Sequence, residues 1–215
     1  MTTHSAFLDY VLPHVPGCTN EMAILEIKNT IIDFCEKTLI LQADHDPVTT
    51  IAGTVDYDLD PPSNTLVVKI MRMWFKGNAL DARAPDTINT PSIYNQNSGA
   101  LVETADPRFY IQKDPRSFSL YPVPVNTDPL SLTLRVALKP TRSTSTIDDL
   151  IYEEYAEIIG HGATSRLFAS LGKPYSSSQQ SAMNYAQYMA GVNMARDRAL
   201  KGYVRSSKQV QLRTI

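Results

Sequence analysis

The chain is poor in the residues on which most protein chemistry depends. It has two cysteines, Cys18 and Cys35, and four histidines in 215 residues. Two cysteines make no disulfide framework, which fits a reducing compartment. No apolar run approaches the roughly 18–20 residues of a membrane span. No basic segment followed by an apolar one opens the chain, so neither membrane insertion nor secretion is expected. The signatures of common sites are missing too: G-x-x-x-x-G-K-[ST] for nucleotide phosphates, G-x-G-x-x-G after a strand, H-E-x-x-H for zinc and G-x-S-x-G for a serine nucleophile. No histidine neighbours a credible Ser or Cys nucleophile, so no catalytic, cofactor-binding or metal-binding residue is assigned.

Two residue groups come nearest to a reactive site. His14, Cys18 and Cys35 supply three metal-ligand types, but a closed zinc site takes four, and Cys35 falls midway along an apolar helix face, where it reads as a small buried hydrophobe. Glu153, Glu154, Glu157 and His161 gather on one helix, with Glu157 and His161 four apart on a common face. Di-iron bundles take Glu-x-x-His from two helices, and the second long helix here offers no acid except Asp197. The helix dipole explains why acids collect in its first turns, and Glu157 with His161 reads as a surface pair. A small metal-dependent enzyme built on Glu157 and His161 remains the lesser alternative from another functional class.

What the chain does have is an ordinary globular composition, 43% hydrophobic and 20% charged, with an uneven distribution of charge. From Arg166 to Ile215 there are eight basic residues against the single acid Asp197, whereas residues 1–165 carry 12 basic and 21 acidic residues. The net charge of −2 argues against general nucleic-acid binding. A basic end and an acidic body instead suit association between copies, or with an acidic partner; a DNA-binding module using the basic end is the alternative, and it would lose affinity steeply with salt.

The last third dominates the pattern. After Pro140 and a polar run, Ser145 or Thr146 is expected to cap a helix carrying Leu150, Ile151, Tyr155, Ile158, Ile159, Gly162, Ala163 and Leu167 as a broad stripe, ending at Gly172-Lys173-Pro174. A second helix from Ser176–Ser178 carries Tyr185, Tyr188, Met189, Val192, Ala195 and Ala199, and the short connection makes the two antiparallel. Gly160 and Gly162 inside the first helix each cost about 1 kcal/mol relative to alanine. Either a close helix neighbour or a break near His161 is expected to explain them.

Upstream, Ser5–Leu12 reads as a short helix ended by Pro13 and Pro16. Thr19 or Asn20 caps another carrying Ile24, Ile27, Ile31, Phe34 and Cys35, with Glu26, Asn29, Asp33 and Glu36 toward water. From Leu39 the period shortens. Leu39–Ala43, Val48–Ile51, Val55–Leu59, Leu66–Phe75, Ala79–Arg83, Phe109–Gln112, Ser117–Tyr121 and Leu130–Leu138 read as strands, with a hairpin turn at Gly77-Asn78 and a polar surface excursion at Pro85–Gly99. Leu66–Phe75 has apolar groups on both faces and is expected to be a central strand covered on both sides. The fold class is α+β: a bundle of N-terminal and long C-terminal helices with an inserted antiparallel β-domain. The expected divisions are residues 1–38, N-terminal helices; 39–139, inserted β-domain; 140–204, helical hairpin; and 205–215, C-terminal extension.

Several stretches together carry a family likeness: Phe34-Cys35-Glu36-Lys37-Thr38, Tyr57-Asp58-Leu59, Leu120-Tyr121-Pro122-Val123-Pro124, Leu138-Lys139-Pro140, Gly162-Ala163-Thr164-Ser165-Arg166-Leu167 and Lys173-Pro174-Tyr175. In order and spacing they resemble the head-to-tail adaptors of short-tailed bacteriophages, the family that includes tail tubular protein A. The resemblance implies a structural virion protein made in the host cytoplasm and placed at the portal vertex. It implies a dodecameric homo-oligomer beneath the portal protein, with helices making subunit and portal contacts and the β-block facing the tail or nozzle protein. Double-stranded DNA would pass through the ring without specific binding. The family has no catalytic residues, and a C-terminal extension orders on docking; here the matching segment, Arg205–Ile215, is short and basic. Lys201, Arg205, Lys208 and Arg213 are the expected contacts to an acidic surface of the portal or the adjacent subunit. Another tail-completion or baseplate component is the nearer alternative.

Overall fold

The computed structural model describes residues 1–85 and 104–202. The chain divides into two compact units, Leu41–Lys139 and the described part of Met1–Ile40 with Pro140–Ile215. Helices and largely antiparallel sheets coexist, a mixed α+β chain. The surface excursion expected at Pro85–Gly99 lies, beyond Pro85, outside the described residues, as does the segment from residue 203 onward.

In the helical unit, α1 spans Asn20–Thr38. Thr19 is its N-cap, its hydroxyl accepting from Met22 N at 3.4 Å, and Leu39 ends it in the left-handed region at φ 55° with its N–H donating to Cys35 O. Its face toward the other helices buries Ala23, Ile27, Thr30, Ile31, Phe34 and Cys35 at steps of three and four, each large apolar side chain contributing about 1.5–3 kcal/mol. The segment before it differs from expectation. His4–Tyr10 and Leu12–His14 are 3-10 turns, and Pro13 sits inside the second, near a helical N-terminus where its missing N–H leaves no bond unmade.

Helix α2 spans Asp149–Phe168 and α3 spans Ser178–Lys201. Asp148 caps α2, accepting from Leu150 N at 2.9 Å. Ser145 and Thr146 do not cap it, because a two-residue strand, β10 (Thr146–Ile147), pairs antiparallel with β1 (Thr2–Thr3). α2 ends at Phe168, four residues before Gly172, and Ser177 caps α3 by accepting from Gln180 N.

The helix is unbroken at His161, and the glycines have a packing reason. A Cβ on Gly162 would lie 2.5 Å from the Thr30 methyl of α1 and 2.8 Å from the Tyr188 ring of α3; one on Gly160 would lie 2.8 Å from Tyr10 Cβ. Gly191, which the sequence pattern did not single out, does the same for α3, where a Cβ would meet Ile158 at 2.6 Å.

Among its described residues the β unit has two four-stranded sheets. One has the order β2 (Gln42–Thr50), β9 (Asp128–Pro140), β4 (Thr65–Phe75), β5 (Asn78–Ala79); the other β3 (Asp56–Asp58), β8 (Ser117–Tyr121), β7 (Phe109–Asp114), β6 (Asp81–Ala82). Both contribute to one core that includes Tyr57, Ile70, Met73, Phe118, Leu120, Leu132 and Leu134. The sheets are also bonded to each other: Ile70 N donates to Gln112 Oε1 at 2.8 Å, and Tyr110 OH donates to Ile70 O at 3.4 Å.

Four strand expectations need correction. Leu39–Ala43 and Val48–Ile51 are replaced by the single edge strand β2, whose register slips on either side of Val48; Pro47, without an N–H, is accommodated in that irregularity. β4 is not fully covered on both faces: Val67, Ile70, Met73 and Phe75 are buried while Lys69 and Arg72 are exposed. The hairpin turn is Lys76-Gly77, both at positive φ, one residue before Gly77-Asn78, with Phe75 paired to Asn78. The run Ala79–Arg83 splits at buried Leu80 and crosses between sheets, where β6 pairs parallel with β7, so the unit is not purely antiparallel.

Candidate assembly surfaces

Of the four residues expected to meet a partner, Lys201 is described; Arg205, Lys208 and Arg213 lie outside the described residues. Lys201 is exposed in the last turn of α3 and faces Asp197 one turn back at 3.4 Å. Such an i,i+4 pair on a helix surface contributes only about 0.3–0.5 kcal/mol, so it leaves the ammonium free to exchange partners.

Several other bases of the helical unit are more firmly used. Arg198 of α3 donates to Glu154 and, at 3.4 Å, to Tyr155 OH, both on α2. Asp33 of α1 is not turned to water as its helical position suggests. Its Oδ2 accepts from Tyr188 OH of α3 at 2.7 Å and from Lys37 at 2.7 Å, with Arg166 of α2 at 3.9 Å, so one carboxylate ties three helices. Burial, with the Asp33 bond second, raises the Tyr188 hydroxyl pKa well above its ordinary value, keeping it a donor.

The weaker chemical candidates resolve into structural roles. His161 Nδ1 lies 2.9 Å from Asn184 Oδ1 across the α2–α3 hairpin, and its Nε2 is 3.9 Å from Glu157. Cys35 is fully buried and its thiol pKa is pushed up to about 12, first by burial and then by Glu36, so it is an inert part of the core. Cys18 makes a weak bond to Thr19 O. Among the described residues no cluster of three or more His, Cys, Asp or Glu could hold a metal ion.

Two apolar surfaces escaped the sequence reading. The outer face of α3 exposes Met183 and Met194, and Asn193, Met194, Arg196, Asp197 and Leu200 line a shallow depression there. A second apolar stripe on the side of α3 away from its core stripe was the available signal. At one end of the β unit, Ile51, Val125 and Leu130 are exposed together: Ala52 N bonds Thr127 Oγ1 and Leu130 N bonds Thr49 Oγ1. Leu130 lies within β9, as its run predicts, but at φ 48°, off the regular strand conformation.

The model of the family described as SU10 adaptor protein matches residues 21–210, most of the chain and both of its units. The chain belongs to this phage adaptor family. No curated protein matches it. As an SU10-family adaptor it is a structural component of a phage virion, which accords with the family likeness carried by its motifs. No helix among the described residues of this adaptor is long and apolar enough to cross a membrane. The surfaces that matter in an adaptor are those that meet other proteins, so the exposed groups of α3 and of the β-unit end carry more functional weight than the half-buried His161 and the buried Cys35.

Proposed function

We propose that this adaptor joins the portal to the tail, as a ring of twelve copies around a channel through which double-stranded DNA leaves the head. The reading rests on one observation, the match of the adaptor family across residues 21–210. The physical features fit it. An adaptor acts by shape: it needs repeated contacts between copies and a different surface for each neighbour, and it breaks no bond, so the absence of enzymatic activity belongs to the same proposal. A net charge of −2 suits a channel wall that must not hold phosphates as the duplex passes.

In this proposal the helices form a bundle of residues 1–38 and 140–204 that meets the portal and adjacent copies, and the inserted β-domain of residues 39–139 meets the tail or nozzle protein. Lys201, Arg205, Lys208 and Arg213 bind an acidic surface of the portal or of the neighbouring copy. The test is retention on DNA-filled heads after reversing two of these charges, Lys201→Glu with Arg205→Glu. Loss of the adaptor from such heads, with unchanged circular dichroism, supports the assignment. Retention equal to the unaltered chain refutes the residue assignment, and failure of the unaltered chain to bind isolated portal rings refutes the function.

A further inference from the structure

The helical unit leaves one helix face without a partner among the described residues. α3 buries Tyr188, Gly191, Val192 and Ala195. The opposite arc presents Met183, Ala186, Ala190 and Met194, at steps of three and four. Met183 is 54% and Met194 71% exposed. Apolar groups scattered singly need no explanation, but a methionine and alanine stripe along three turns of one helix is a contact face in waiting.

The charges beside this stripe identify what fits it. Beyond its C-terminal end Arg196 stands on the flank of the helix, about 200° around from Met194, and lines with Met194 the shallow depression described above; it is exposed and without a hydrogen bond or ion pair among the described residues. The exposed stripe of α2 is Leu150, Glu153, Glu154 and Glu157. Glu154 is taken by Arg198. Glu153 has no ion pair among the described residues, and Glu157 has only the 3.9 Å contact with His161. One face is therefore apolar with an unpaired cation, its acid Asp197 being paired to Lys201, and the other has an apolar residue followed by two exposed carboxylates, Glu153 unpaired and Glu157 with only the His161 contact. Each is complementary to the other, and neither to itself.

We propose that the outer face of α3 docks on the α2 stripe of a second copy of this chain, with Arg196 set against Glu153 and Glu157 of the partner subunit and Met194 near Leu150 of the partner subunit. Because the two faces are different, each docked copy still offers one of each, so association runs head to tail and ends only when a ring closes. This rests on the reading of the protein as a ring-forming adaptor, and assigns the surfaces by which neighbouring copies meet.

The full chain is loaded on isolated portal rings, and bound copies are counted by native mass spectrometry for the unaltered protein, for Arg196→Glu, for Glu153→Lys with Glu157→Lys, and for an equal mixture of the two variants. Each variant alone is expected to need at least a tenfold higher concentration to half-fill the ring, with unchanged circular dichroism. The mixture restores filling to within twofold of the unaltered chain, since every junction then pairs opposite charges. Normal filling by either variant alone overturns the proposal, and so does a mixture that stays defective, which would place these charges against the portal. If the unaltered chain binds no portal, the adaptor reading fails, and the same four samples are compared by sedimentation in free solution. There, variants that assemble like the unaltered chain, or an unaltered chain that stays monomeric, overturn the docking.

Discussion

Replacing Gly162 by alanine tests how closely the three helices approach. The new Cβ would stand 2.5 Å from the Thr30 methyl and 2.8 Å from the Tyr188 ring, both distances that packed atoms do not tolerate. Neither neighbour can step aside at little cost. Thr30 is fully buried and its hydroxyl donates to Glu26 O at 2.7 Å, and Tyr188 is 2% exposed and held by Asp33. Overpacking a tight core costs typically 1–3 kcal/mol, and two obstructed contacts put this site near the upper end, about 3 kcal/mol. Alanine is a better helix former than glycine by about 1 kcal/mol, which leaves a net loss of roughly 2 kcal/mol. For a chain of this size that lowers Tm by about 4–8 °C.

The assay is thermal unfolding followed at 222 nm, where the helices dominate the signal, beside urea unfolding to obtain the free energy. The pair Gly162→Ala with Thr30→Ser adds a second reading. Serine keeps the hydroxyl bond to Glu26 and removes the obstructing methyl, so the double variant should regain about half of the loss, a coupling on the order of 1 kcal/mol between residues in contact. A Gly162→Ala protein as stable as the original, or more so, would mean that α2 does not lie this close to α1 and α3. No rescue by Thr30→Ser would mean that the Tyr188 ring alone sets the limit.

Three other outcomes follow from the helical unit. Tyr188→Phe keeps the ring and deletes the bond to the Asp33 carboxylate, which should cost about 1.5–3 kcal/mol in urea unfolding; an unchanged midpoint would show that Lys37 alone satisfies Asp33. In native protein, a thiol reagent should label Cys18 and leave Cys35 untouched until the helices unfold, given full burial and a thiol pKa near 12; rapid labelling of both would contradict the packing. His4 is buried with no hydrogen-bond partner for either ring nitrogen among the described residues, and its pKa is lowered from 6.5 to about 4, first by burial and then by Lys28. The unfolded chain binds the proton more readily, so stability is full above pH 6.5 and falls as the pH drops toward 4, by on the order of 2–3 kcal/mol; His4→Leu should flatten that part of the pH profile.

The α+β class could be read in advance where local chemistry decides structure. Thr19 and Ser177 cap helices because a short hydroxyl side chain ahead of an apolar periodic run has few other uses, and β9 alternates Leu132, Leu134 and Val136 inward against exposed Thr133 and Arg135. Misreadings arose where a distant segment overrode the local signal. Ser145 and Thr146 have the right chemistry for a cap, yet pairing of Thr146–Ile147 with the first residues of the chain moves the cap to Asp148. Asp33 sits at a flank position that usually faces water, and only the arrival of Tyr188, 155 residues later, turns it into a junction. The division of β4, β5 and β6 between two sheets was equally hidden, since nothing in Ala79–Arg83 announces that Leu80 turns inward.

The candidate surfaces were harder to see than the core for a related reason. A buried stripe is marked by what water excludes, so its residues must be apolar and its period is legible. A surface that waits for another protein obeys that rule only after docking, and in the single chain it looks like noise on the polar side of a helix. Met183, Ala186, Ala190 and Met194 pass unnoticed beside the stronger stripe of Tyr188, Val192 and Ala195 until both are placed on one cylinder. Charge asymmetry was the part of the assembly signal that survives in one dimension: it showed that the C-terminal region is basic and the remainder acidic, while the fold was needed to set Arg196 on one exposed face and Glu153 and Glu157 on another. For a protein whose work is to fit between others, the informative residues are therefore those that the helices leave outside, unpaired, and arranged in complementary sets.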